Sequence, residues 1–319
     1  MLQTISKAEH VNIQSSYILF CTETCQEIGG FRLYLSMNKF LALLFFVLLL
    51  SCKEKTVNIS KDITFDKQMD VSYGNDSEQK LDLYIPKNTQ QNKDLFIIIH
   101  GGGWKAGNKS QLTYFTLSMM EKFPKSVFAN INYRLASENR FGIPNQTDDI
   151  DKVILFLEKT LKYKPNIILL GNSAGGHLSM LYSYKFDYNK RIKAVINIVG
   201  PADLSDLSFK NYYDYSFVEN HLVDPAILSK EISMENFASP VYWITKTSPP
   251  TLSFYGNNDT VIPLSQKKIL DSALNKNGIF NQSFEFPGGH LDWANEKNAP
   301  FVINSISEFL KQIDKNKTP

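Results

Sequence analysis

The chain has 319 residues, 43% of them hydrophobic and 21% charged, with a net charge of +2. That composition excludes a disordered polymer and supplies a large core, arranged as one large domain or two small ones. So small a charge excludes the strong positive field of a nucleic-acid surface, and zinc-type Cys/His spacings and HExxH are absent from the sequence.

Residues 1–36 are polar and mixed, without clear periodicity. They are followed by "MNKFLALLFFVLLLSCKEK", residues 37–55, with an uninterrupted apolar run from Phe40 to Leu50. That run is too short for a bilayer, which needs about 20 residues. It suits the apolar core of a secretion signal, about 7 to 15 residues long. Its end, Leu-Leu-Ser-Cys, resembles the lipobox of bacterial lipoprotein signals, with a bulkier Leu50 where a small residue is usual. The expectation is that Met37 is the start and residues 1–36 are an upstream extension of the reading frame. Residues 37–52 are then a lipoprotein signal, Cys52 carries lipid, and 53–69 form a tether. The protein is expected in the cell envelope, lipid-anchored to a membrane and either periplasmic or surface-exposed. Cys21 and Cys25 fall outside such a mature chain, which leaves no thiol for a disulfide, a metal or a nucleophile.

The remainder, 70–315, alternates strands and helices. In "KLDLYIP" Leu81, Leu83 and Ile85 alternate with other residues, the period of a half-buried strand. "DLFIIIH" is continuously apolar, as a strand covered on both faces is. "SQLTYFTLSMMEKF" reads as helix and "SVFANINY" as strand. "NQTDDIDKVILFLEKTLKY" is a helix, with an acidic first turn and Ile150, Val153, Ile154, Phe156 and Leu157 at helical spacing. There follow strand "NIILLGN", helix "AGGHLSMLYSY" and strand "IKAVINIVG". Residues 201–248 are irregular and aromatic, an insertion near the strand ends. After them come strand "PTLSFYG", helix "LSQKKILDSALNKNG", strand "QSFEFPGG" and helix "FVINSISEFLKQI". This alternation predicts an α/β fold, a mostly parallel sheet with helices on both faces and an antiparallel opening pair. Ligands in such sheets bind beyond the carboxyl ends of the strands, so functional residues belong just after strands.

Four strand ends satisfy that condition. Gly171-Asn172-Ser173-Ala174-Gly175 has the G-x-S-x-G spacing between a strand and a helix. That is a nucleophile elbow, a strained turn that pushes the serine hydroxyl outward. Serine needs a base, and after the signal segment the histidines are His100, His177, His221 and His290. His290 follows the last strand and is the best placed. The base needs an acid to hold its tautomer. Asp259 lies just beyond the preceding strand, whereas Asp292 is too near His290 in sequence to orient it easily. The fourth loop, "HGGGW" at 100–104, places bare backbone where side chains would block a reacting carbonyl. Gly102 and Gly103, with the N–H of Ala174, are the candidate oxyanion donors. Gly102 to Ser110 approaches a phosphate-loop pattern, but Asn108 separates Gly107 from Lys109 and breaks it.

"HGGGW", "NYRLA" at 132–136, "GNSAGGH" at 171–177, "GNNDTVIP" at 256–263 and "GGH" at 288–290 together resemble the alpha/beta-hydrolase superfamily. Within it the chain is similar to the hormone-sensitive-lipase-like esterases, and most to the feruloyl and acetyl-xylan esterase-like (BD-FAE-like) branch. "ASPVYWITKTSPP" supports that choice through its Ser-Pro and Pro-Pro frame. The resemblance covers roughly residues 70–313 and implies Ser173 as nucleophile, Asp259 as acid and His290 as base. It also implies Gly102, Gly103 and Ala174 around the oxyanion, and no cofactor or metal. The chain departs from the pattern in lacking a proline after "NYRLA". It also has Asn172 in the elbow where a histidine or aspartate is frequent. Trp104 and Asn172 are expected at the substrate, and Tyr212, Tyr213, Tyr215 and Phe217 could form its wall. The expected activity is hydrolysis of short-chain carboxylic esters through an acyl-enzyme, with acetyl or feruloyl esters of polysaccharides as candidate substrates. Partners are then a small-molecule or polysaccharide ester and a membrane, not nucleic acid. An amidase, formamidase or peptidase of the same fold shares every catalytic residue, and a non-catalytic binding lipoprotein is the rival from another class.

Overall fold

The computed structural model describes residues 55–87 and 94–316. Cys52, the signal segment 37–52 and residues 1–36 lie outside them. The described strands are β1 (Thr56–Asn58), β2 (Thr64–Ser72), β3 (Lys80–Pro86), β4 (Asp94–Ile99), β5 (Val127–Ile131), β6 (Asn166–Asn172), β7 (Ile192–Ile198), β8 (Thr251–Gly256) and β9 (Asn281–Phe286). They form one sheet in the order β1-β2-β3-β5-β4-β6-β7-β8-β9. The pairs β1–β2, β2–β3 and β3–β5 are antiparallel. From β5 to β9 every pair is parallel. This is the mostly parallel sheet with an antiparallel opening expected from the alternating pattern, and it agrees with the alpha/beta-hydrolase fold that the resemblance implies.

One expectation is corrected. Residues 53–69 were read as a tether, yet β1 and most of β2 fall within them. The stretch is polar because it is the edge of the sheet. Phe65 is its fully buried anchor, set edge-on against Phe128 of β5 at 6.1 Å. Edge strands need cover on only part of their surface and so lack a strong apolar signature.

The apolar runs of the central strands are sorted by their own alternation. Leu95, Ile97 and Ile99 of β4 enter one core layer, and Phe96 and Ile98 enter the other. Successive side chains of a strand point to opposite faces, so a strand buried on both faces must be apolar throughout. The first layer is closed by helix α2 (Asn145–Leu161), through Ile150, Val153, Ile154 and Leu157, and by α3 (Ala174–Leu181). The second is closed by α1 (Thr113–Lys122) and α7 (Asn298–Asn316), the latter through Val302, Ile306, Phe309, Leu310 and Ile313. Each such side chain contributes about 1.5–3 kcal/mol by leaving water. Residues 201–248 carry two short helices, α4 (Tyr215–His221) and α5 (Met234–Ala238), and α6 (Ser265–Lys276) follows β8. Because β4, β6, β8 and β9 run in parallel, their carboxyl ends meet at one rim, and four loops from distant parts of the chain converge there.

Candidate active site

Ser173 stands between β6 and α3 with φ 53° and ψ −123°, a conformation costly for a residue with a Cβ. Two close approaches hold it there. A Cβ on Gly171 would lie 2.3 Å from the backbone of Gly175, and one on Gly175 would lie 2.1 Å from the carbonyl oxygen of Ile99. Only glycine lets the turn close this tightly against β4. The Ser173 N–H donates to the carbonyl of Ile198 at 2.8 Å, tying the elbow to β7.

The hydroxyl meets its expected partners. His290 Nε2 lies 2.9 Å from Ser173 Oγ, and His290 Nδ1 lies 2.8 Å from Asp259 Oδ2. The Asp259 carboxylate is fully buried, and its other oxygen accepts the N–H groups of Val261 and Ile262 at 2.8 and 2.9 Å. With both oxygens occupied, the carboxylate is fixed and holds the imidazole proton on Nδ1, which leaves Nε2 facing the serine as an acceptor. Asp292, the rival acid, instead accepts the Gly289 N–H at 2.7 Å. It shapes the loop that carries His290.

The three beside-strand glycines frame the front of the serine. Gly102 has φ 116°, and a Cβ there would lie 2.1 Å from the Ala106 carbonyl oxygen. Gly102 and Gly103 line the cavity that contains Ser173 and His290, a space of about 560 Å³. Ala174 is the first residue of α3, where an N–H has no intrahelical acceptor. Asn172 lines the same cavity, but its carboxamide oxygen accepts the Gly101 N–H at 3.0 Å, so it also braces the glycine turn against the elbow.

The aromatic candidates divide. Tyr212 and Tyr213 line the cavity. The Tyr212 hydroxyl sits 3.2 Å from where a Gly103 Cβ would stand, and burial raises its pKa above the ordinary phenol value, so it stays a donor. Tyr215 is buried, with its hydroxyl on the Leu204 carbonyl at 3.0 Å. The Phe217 ring lies under the Lys105 ammonium at 4.3 Å. Trp104 was expected at the substrate; it is 2% exposed and packs in the core instead. Its indole N–H donates to His177 Nδ1 at 3.0 Å. His100 is also buried, stacked on Tyr133 at 4.4 Å, and His221 ends α4 against the Phe217 ring at 5.0 Å. The imidazole bonded to the serine hydroxyl is that of His290, not that of His100, His177 or His221.

Three further cavity residues, Lys105, Asp214 and Leu291, carry no sequence signal of their own. Lys105, in the glycine loop, forms a 2.6 Å ion pair with Asp214, in the insertion. The pair joins the two sides of the cavity mouth, both ends of it lining the cavity. Leu291, adjacent to the base and 73% exposed, forms part of the rim.

Known proteins are similar to this chain in sequence and in fold. Esterase LipC of Mycobacterium tuberculosis is 27% identical over 267 residues, covering 77% of this chain and 65% of its own length. The kynurenine formamidase of Danio rerio is 23% identical, covering 54% of this chain and 55% of its own length. The chain thus spans less than two thirds of these curated relatives. A solved structure, a truncated form of a carbohydrate esterase from gut microbiota, has the same fold, with a TM-score of 0.63 at 22% identity. That match covers 78% of this chain and 98% of the other. The BD-FAE family model matches residues 81–274, from β3 into α6, and so takes in the glycine turn, the elbow and Asp259. A match over more than half the sequence places the chain in the BD-FAE family of alpha/beta-hydrolases.

Proposed function

We propose that the chain is a serine esterase that hydrolyses short-chain carboxylic esters through an acyl-enzyme. The observation that carries this reading is the unbroken run Ser173 Oγ, His290, Asp259 at 2.9 and 2.8 Å, opening onto a cavity bordered by bare glycines. His290 Nε2 takes the serine proton as Oγ attacks the ester carbonyl. The carbonyl oxygen becomes an anion, which the N–H groups of Gly102, Gly103 and Ala174 stabilise. Collapse breaks the bond to the alkoxy oxygen, and His290 returns the proton to the departing alcohol. Water then attacks the acyl-serine with His290 again as base, releasing the acid and restoring Ser173.

The substrates that fit best are acetyl or feruloyl esters on polysaccharide. Support comes from family membership, from the name of the gut carbohydrate esterase that shares the fold, and from the tyrosine-walled, open cavity. A formamidase reading is favoured by one finding, the similarity to kynurenine formamidases. Fluorophosphonate labelling of the wild type and its loss in Ser173→Ala test the nucleophile. Hydrolysis of p-nitrophenyl acetate, methyl ferulate and N-formylkynurenine then separates the readings. Labelling without ester turnover sinks the esterase assignment. We further propose that Cys52 is lipidated and holds the protein at a membrane; Cys52→Ala should then move it from the membrane fraction to the soluble one.

A further inference from the structure

The active-site cavity has a neighbour. A second hollow of about 530 Å³ lies between α1 and α7, and Ala294 lines both. The same two chain segments wall the two spaces. One segment passes from Gln111 and Leu112 at the serine cavity to Tyr114, Ser118 and Glu121 at the hollow. The other passes from His290 and Trp293 to Glu296, Ala299 and Ile303. Phe115 and Trp293, edge to face at 5.1 Å, pack these segments together. The Lys122 ammonium, donating to the Asn304 carboxamide oxygen at 2.8 Å, sets their spacing at the far end.

We propose that this hollow is a distal subsite for the leaving group, and that it takes a neutral oligosaccharide chain whose ester lies at Ser173. The proposal rests on the esterase reading and deepens it. Three features select the ligand class. Tyr114 is 82% exposed on the rim of a hollow, where an aromatic ring offers a flat face to the C–H side of a sugar. Ser118, Asn295 and Asn304 supply short polar groups for hydroxyls. Glu121 and Glu296 outweigh Lys122, itself engaged with Asn304, so the wall repels acidic sugars. A bare acetyl ester leaves the hollow empty, whereas a chain of a few sugar units extends from the serine past Ala294 into it.

The test uses the full chain and mono-acetylated xylo-, manno- and gluco-oligosaccharides of one to five units, with acetylated oligogalacturonides as the acidic series. Rates are normalised to p-nitrophenyl acetate for each variant. At least one neutral series should rise about 10-fold in kcat/KM between one and four units, the size of one aromatic stacking contact, while the acidic series stays flat. Tyr114→Ala should remove most of the rise, and so should Ser118→Trp, which fills the hollow instead of stripping it. Binding of acetyl-free xylotetraose, mannotetraose and cellotetraose to Ser173→Ala, followed by NMR, reads the subsite without chemistry. Adding Tyr114→Ala should weaken the tightest of them at least several-fold. Flat rates in every neutral series, or a rise that survives both variants, overturn the subsite. Loss of p-nitrophenyl acetate turnover and of fluorophosphonate labelling overturns the esterase reading instead and leaves the binding measurement legible.

Discussion

The indole N–H of Trp104 donates to Nδ1 of His177 across 3.0 Å in the buried core beneath the active-site loops. Tryptophan can only donate, so Nδ1 must be the bare nitrogen and Nε2 must carry the proton. That proton goes to the Ala238 carbonyl, 2.7 Å away. One neutral imidazole therefore joins the glycine loop, the helix after Ser173 and the aromatic insertion.

Removing the donor leaves that nitrogen buried without a partner. Trp104→Phe should cost about 1–3 kcal/mol for the stranded acceptor. Urea unfolding measures it as a lowered midpoint with an unchanged slope. A variant as stable as wild type would show that the contact adds nothing.

Acid should weaken the fold before carboxylates are protonated. Burial lowers both His100 and His177 to about 4, against about 6.5 in an unfolded chain. Between these values the unfolded chain binds protons that the folded one excludes, so stability is full above pH 6.5 and falls as pH falls toward 4. Each imidazole accounts for about 3 kcal/mol over that whole window. Unfolding midpoints between pH 7 and 5, above the ordinary carboxylate range, should decline in wild type. They should decline less steeply in His177→Gln, by up to one proton's worth of slope.

Asp259→Asn tests the tautomer argument. The N–H groups of Val261 and Ile262 point at this side chain and will draw the amide oxygen of an asparagine toward themselves. Its NH₂ then faces His290 Nδ1, which must accept, and the proton moves to Nε2, where it blocks proton transfer from Ser173. The expected loss is about 10⁴-fold in kcat, measured with p-nitrophenyl acetate. A loss of only a few-fold would place the acid elsewhere.

Gly102→Ala probes the glycine turn. At φ 116°, with the Ala106 carbonyl 2.1 Å from the new methyl group, the turn must move and carry its N–H groups with it. Loss of one oxyanion donor costs about 100- to 1,000-fold in kcat. Circular dichroism should stay native while turnover falls, because the turn lies at the cavity and not in the sheet.

The legible parts of the sequence were those written locally. Ile150, Val153, Ile154 and Leu157 mark the buried face of α2 by spacing alone. Gly171 to Gly175 mark the elbow because only that residue pattern fits the turn. Trp104 is not legible for the opposite reason: an aromatic residue beside a glycine loop suits a substrate wall or a core equally well. Its direction depends on His177, 73 positions away. Tyr212 and Tyr215, three residues apart, divide between cavity and core, and no local pattern separates them.

The sequence by itself determined the alternation of strands and helices, the strained serine turn, and which serine, histidine and aspartate come together, Ser173, His290 and Asp259. Backbone turns and burial periodicity are properties of neighbouring residues. Only the tertiary structure decided that the polar stretch before residue 70 is sheet edge and that Trp104 is core. It alone showed Lys105 reaching Asp214 across the cavity mouth and the serine cavity adjoining a second hollow at Ala294. Those facts depend on which distant surfaces pack together, and packing is fixed by the shape and burial of the whole core.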